Sequence, residues 1–258
     1  MATQTSTYPQ TNGGAASTLR QIAVQTRYEL LLTLRRGENI LVTLIIPVLL
    51  LIFFASLNII PNSSGSAINF LLPGILAIAI MAAGMVNLGI ATAYERYYGV
   101  LKRLGSSPLS RSSLIIAKVI SILILEVIQV LLLVGVAIGL YGWHLGGSPL
   151  LTLLVLAPGT IAFSALGLAM AGALRAELTL AGANALFLVF ILLGGGILPL
   201  SHLPAPLAAL AQILPETALT QTLQATMSSG TLPTFPLIVL IVWAIVILVV
   251  AMRTFQWE

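Results

Sequence analysis

Six apolar stretches dominate this chain, and between them they leave room for one kind of fold. They cover about residues 40–60, 68–94, 114–141, 150–174, 178–198 and 235–252. At 1.5 Å per residue, each is long enough to cross ~30 Å of hydrocarbon as a helix. Lipid offers no water to backbone N–H and C=O groups, so spanning segments must satisfy those groups internally, as helices do. Composition agrees. Of 258 residues, 59% are hydrophobic and 7% charged, whereas an average soluble domain carries about 25% charge. The mean hydropathy is +1.08. The expected fold is therefore an all-α polytopic membrane protein with six transmembrane helices.

The positions of the cations set the expected topology. Arg20, Arg27, Arg35 and Arg36 precede the first stretch. Arg96, Lys102, Arg103 and Arg111 lie between the second and third, with Lys118 just inside the third. Arg175 separates the fourth and fifth, and Arg253 follows the sixth. These are all 11 Lys and Arg residues, and alternating loops put every one on the same side. The positive-inside rule makes that side cytoplasmic, with both termini there and the chain multi-pass in the plasma membrane. The pI of 9.8 then reports cytoplasmic-face cations and not a nucleic-acid partner.

Residues 1–18 are polar and have no apolar run, so they are not expected to be a cleavable signal. They read as a disordered cytoplasmic tail ahead of a membrane domain over 19–258. From 19 to 36, Leu19, Ile22, Ala23, Leu30 and Leu34 can share one helical face among arginines. This predicts an amphipathic helix lying at the interface, near anionic headgroups. Between Pro199 and Thr234 an outer segment is moderately apolar but cut by Pro204, Pro206 and Pro215. No piece of it can span, which predicts short re-entrant helices before the last span. Gly194, Gly195, Gly196 and Pro199 should end the fifth helix there.

Little catalytic chemistry is available. The chain has no Cys and no Asp, only His144 and His202, and seven Glu. Thiolate sites and disulfides are excluded, no metal motif is present, and neither lysine follows a phosphate-binding glycine loop. No catalytic residue, resident metal or cofactor is expected in this chain. Among intramembrane polar residues, Glu126 is the costliest, with Gln129 three positions on and able to hydrogen-bond it. Glu126 reads either as an ion-coupling acid or as a protonated packing group. Asn58, Asn87 and Asn184 read as helix–helix contacts. The many Gly, Ala and Ser residues of the fourth and fifth stretches, Gly159, Gly167 and Gly172 among them, suit close helix packing.

The most patterned stretch is Glu95-Arg96-Tyr97-Tyr98-Gly99-Val100-Leu101-Lys102-Arg103-Leu104, then Ser107-Pro108-Leu109 and Lys118. A second runs from Gly195 to Pro199, then Leu203-Pro204 and Leu214-Pro215. In this order, and with these sides of the membrane, they resemble the permease subunits of ABC-2 type (type V) exporters, within the daunorubicin and multidrug-resistance-like branch. Lys102 stands where many relatives have Glu, and Pro215-Glu216 where an Asn-Pro step is common. The resemblance implies a permease that exports a hydrophobic or amphipathic, drug- or lipid-like substrate. It implies pairing with a second copy, most simply a homodimer in contact with membrane lipid. It also implies a separate ABC ATPase that binds ATP and Mg. The 95–104 loop would be the coupling helix that docks on that ATPase, with Glu95, Arg96, Gly99, Leu101, Lys102, Arg103 and Leu104 as its residues. The competing expectation is a secondary transporter driven by an ion gradient through Glu126.

Overall fold

The computed structural model describes residues 17–35, 37–57, 67–197, 199–255 and 257. The expected tail over 1–18 and Asn58 fall largely or wholly outside these residues, as does the end of the first expected span.

Helix α1 is Thr18–Arg35. Helix α2 covers residues 37–56, a π-helical turn at Leu41–Ile45 dividing it. Helix α3 is Ala67–Tyr97, with a second π-helical segment at Ala82–Leu88. The short α4 is Val100–Gly105. Then come α5 (Arg111–Tyr141), α6 (Pro149–Ala173) and α7 (Ala176–Leu193). The outer segment holds a 3-10 turn at Leu200–His202, α8 (Ala205–Ala211) and α9 (Pro215–Ser228). The last helix, α10, is Thr234–Thr254. Among the described residues, α3, α5, α6, α7 and α10 are long and apolar enough to cross a membrane. The first of the six expected stretches is helical too, but its apolar part, Thr43–Ser56, is shorter, because polar residues open α2 and the chain beyond 57 is not described.

Local signals account for the ends. Ser110 caps α5, its hydroxyl accepting from Ser113 N at 3.1 Å. At the far end Gly142 takes φ 60°, and Trp143 N returns to Ala137 O at 3.2 Å, closing the last turn. Ser148 caps α6 through Leu151 N at 3.3 Å, and Pro149 occupies the first helical position.

The core is built on α3 and α6. Leu72, Ile75, Met81, Leu156 and Phe163 are buried among Leu133 of α5, Leu219 and Leu223 of α9, and Leu240 of α10. Small residues allow the central approach. A Cβ on Gly89 would lie 2.8 Å from Gly167 Cα, and one on Gly167 2.7 Å from Gly84 O. This is the close packing expected of the fourth stretch. The fifth stretch uses fewer of its small residues: α7 buries Ala176, Thr179, Ala183 and Phe190, and turns Ala181 and Ala185 outward. Only 22% of its apolar window is buried, and 17% of that of α10, against 83% for α3. Helices α7 and α10 therefore present long aliphatic faces outward, as lipid-facing helices do.

Short helices form between Pro199 and Thr234, as expected. Most of α9 is buried against α3, α6 and α10, and Ser148 N donates to Thr226 O at 2.9 Å to hold it in place. Trp243 of α10 donates to Ile213 O at 2.8 Å. Helix α1 is held to the rest of the protein by its polar face. It buries Gln25, Thr26 and Glu29 against α5, while Leu19, Val24, Tyr28, Leu31 and Leu34 face outward beside Arg20, Arg27 and Arg35. The seam it packs is polar because an acid there meets a buried cation.

Candidate functional site

The loop that joins α3 to α5 is a folded unit. Helix α3 ends in three tyrosines. The rings of Tyr94 and Tyr98 stack at 6.0 Å, and those of Tyr97 and Tyr98 meet edge-on at 5.1 Å. Tyr97 and Tyr98 are both strongly exposed. Gly99 follows at φ 70°, a conformation other residues resist, and so turns the chain into α4. Leu101 faces inward with Leu114, Ile115 and Phe255, whereas Lys102 and Arg103 face outward and Leu104 is half-buried. Gly105 lies against the Trp257 ring. The hydroxyls of Ser106 and Ser107 then donate to the carbonyls of Arg103 and Leu104 at 2.7 and 2.6 Å, closing the turn before Pro108.

Two polar anchors fix this unit to the rest of the protein. Lys118 of α5 is 1% exposed, and its Nζ donates to Glu95 of α3 at 2.8 Å and to Glu29 of α1 at 3.1 Å. Gln25 donates to Glu29 at 2.8 Å. One ammonium thus joins three helices. Breaking such a buried pair costs about 3–5 kcal/mol, because it leaves an uncompensated charge. The second anchor is Arg96, which donates to Gly172 O at 2.7 Å and also to Leu174 O, the carbonyls left free where α6 ends. A cation at a helix C-terminus also meets the negative end of the helix dipole.

The predicted loop residues therefore divide. Glu95, Arg96 and Leu101 point into the protein, while Lys102 and Arg103 point out with Tyr97 and Tyr98. The pairing of Lys118 with Glu29 is the feature that sequence patterning missed. The usable signal was that a lone lysine inside an apolar span needs an acid, and few acids are available.

The intramembrane polar residues also separate. Gln129 does not bond Glu126. It donates instead to the Thr43 carbonyl on the π-helical turn of α2, and Thr160 of α6 donates to Glu126. Three positions on a helix leave the two side chains about 60° apart, enough to face different neighbours. Glu126 is fully buried, and its Oε1 has no partner. Asn87 donates to the Thr43 hydroxyl at 3.3 Å, a helix–helix contact as expected. Asn184 does not make one: it is exposed on α7 and bonds Leu180 O of its own helix at 2.8 Å. Among the described residues no cluster of three or more His, Asp or Glu could hold a metal ion.

Relatives place the chain. The "Probable multidrug ABC transporter permease YbhS" of Escherichia coli strain K12 is 26% identical over 174 residues, which is 67% of this chain and 46% of the relative. The protein of the same description in Escherichia coli O157:H7 matches equally. The chain thus spans about half the length of these curated relatives. The family model described as ABC-2 type transporter matches residues 20–228, a range that takes in α1, the whole loop unit, the central helices and the outer segment. An all-helical chain of bilayer-length helices, a folded loop between α3 and α5, and a family match over most of its length lead to one conclusion: this protein belongs to the ABC-2 type transporter family.

Proposed function

We propose that this chain is the membrane-spanning permease subunit of an ATP-driven exporter, lying in the plasma membrane with both termini cytoplasmic. A separate ABC ATPase, carrying the ATP and Mg, docks on the 95–104 loop. Two permease copies pair, and a hydrophobic or amphipathic substrate leaves the cytoplasm between them. The observation that carries this reading is the division of the loop unit. Its outer surface offers two tyrosines and two cations to a partner, and its inner surface is tied through Arg96 to α6 and through Glu95 and Lys118 to α5 and α1. A push on the loop would reach three helices as a rigid displacement, which is what switching between inward- and outward-facing arrangements needs. Glu95 and Arg96 act here as transmitters inside the permease; Tyr97, Tyr98, Lys102 and Arg103 form the contact.

Co-purification from native membranes tests this. Tyr98→Asp with Arg103→Glu should abolish recovery of a stoichiometric P-loop ATPase and leave the melting temperature unchanged. Recovery of the ATPase at wild-type level with that variant would remove the loop as the docking site. The second reading, a gradient-driven carrier, rests on the unpartnered Oε1 of the buried Glu126. It requires transport that survives ATP depletion and is lost in Glu126→Gln.

A further inference from the structure

An open hollow of about 480 Å³ lies where α3, α6, α7 and α10 end together. It is lined by Arg96, Gly172, Leu174, Arg175, Arg253 and Thr254, and among the described residues no acidic side chain lines it. Glu177 lines a neighbouring hollow that shares Arg96 and Arg175 with this one. Close packing brings the arginines together. A Cβ on Gly172 would lie 2.7 Å from Thr254 O, so the glycine lets the end of α10 press onto the end of α6. Arg96 is already committed to carbonyl oxygens and contributes its charge. Arg175 and Arg253 are exposed, and among the described residues neither guanidinium has a hydrogen-bond or ion-pair partner.

We infer that this hollow binds the phosphate of an anionic membrane phospholipid. A guanidinium pair is suited to phosphate oxygens, which it can meet bidentately. Position selects a lipid as the source. Arg253 sits in the last turn of α10, and Arg175 caps the start of α7. Both helices are of membrane-crossing length, so their ends lie at headgroup depth. Within one turn toward the membrane centre the same helices expose Leu178, Val249 and Val250, an aliphatic surface for acyl chains. The inference needs these helices to span the membrane but does not depend on how an ATPase docks.

The test is native mass spectrometry of the purified, delipidated full chain, titrated with phosphatidylglycerol and with phosphatidylcholine of the same acyl chains. A basic residue near an anionic surface is worth about fivefold in affinity, so Arg175→Gln with Arg253→Gln should weaken phosphatidylglycerol binding about thirtyfold. Phosphatidylcholine binding should not change, and Arg20→Gln with Arg27→Gln on α1, which do not line this hollow, should weaken phosphatidylglycerol binding far less than thirtyfold. Arg175→Lys with Arg253→Lys should keep most of the preference, which guards against loss through misfolding. Three results would overturn the inference. An equal loss in the α1 variant would mean diffuse charge. Displacement of the lipid by millimolar inorganic phosphate would mean a free-anion site. Unchanged lipid affinity with loss of a co-purifying ATPase would mean a protein contact.

Discussion

Replacing Lys118 with methionine should destabilise the protein more than any other single change in the loop unit. The ammonium is 1% exposed and sits 2.8 and 3.1 Å from two carboxylates whose side chains are themselves 17% and 10% exposed. Methionine keeps the packing volume but leaves Glu29 and Glu95 facing each other without a cation. Loss of one partner of a buried ion pair costs about 3–5 kcal/mol. The partial exposure of Glu95 allows water to reach it and places the expected cost at the lower end of that range. Glu29→Gln and Glu95→Gln are milder, because Lys118 keeps the other carboxylate; each should cost about 1–3 kcal/mol. The decisive comparison is the triple variant K118M/E29Q/E95Q. It removes both stranded carboxylates, so it should be more stable than K118M alone, although it carries two more substitutions. Thermal melting of the purified chain in mild detergent gives the ranking. If K118M melts like wild type, or the triple variant melts no higher than K118M, the three-helix ion cluster does not hold the loop.

Other expectations bear on packing, pH and energy source. Gly89→Ala puts a methyl 2.8 Å from the Gly167 backbone, where no flexible side chain can yield. It should cost about 1–3 kcal/mol, read as a lower melting temperature. Glu216 opens the outer helix α9, outside the membrane-spanning segments, and burial pushes its carboxyl up to about 8, with the Thr220 hydroxyl opposing the shift. An acid raised in the folded state binds its proton there while the unfolded chain has lost it, so stability should fall as pH rises from about 4.5 to 8. Glu216→Gln should flatten that slope in melting curves; an unchanged slope would exclude Glu216 as its source. Glu126→Gln should leave ATP-driven transport intact in membrane vesicles, and its loss there would favour the gradient-driven carrier.

Much of the fold is legible in the sequence because bilayer thickness and capping residues leave marks in one dimension. The expected apolar stretches prove helical except at three of their ends, residues 57, 174 and 194–197 among those described, and Ser110, Gly142, Ser148 and Pro149 mark helix ends that form where they stand. Side-chain partners are less legible because they depend on which face meets which neighbour. The apolar stripe on α1 marks a face for the membrane interface, but nothing in it announces that Lys118 draws the Gln25–Glu29 seam inward. Gln129 lies on the same helix as Glu126 and still reaches a different neighbour, because Thr43 offers a carbonyl on a π-helical turn that periodicity does not announce. The loop signature is visible as a pattern of charges and glycine. That Glu95 and Arg96 serve the interior while Tyr97 and Tyr98 stay outside follows only from the ends of α5 and α6 in three dimensions. Likewise the tight seat of Glu216 against Gly194 and Gly196 joins residues that the outer segment separates.

The absence of native cysteine makes the central claim open to direct measurement. Single cysteines at Tyr98, at Arg103 and, as a control exposed midway along α7, at Leu188 can be coupled in native membranes to a short thiol-to-amine cross-linker, and the captured chain identified by mass spectrometry. Docking of an ATPase on the loop predicts capture of the same P-loop ATPase from positions 98 and 103 and none from 188. No ATPase at either loop position, in membranes whose transport continues after ATP depletion, would contradict the account.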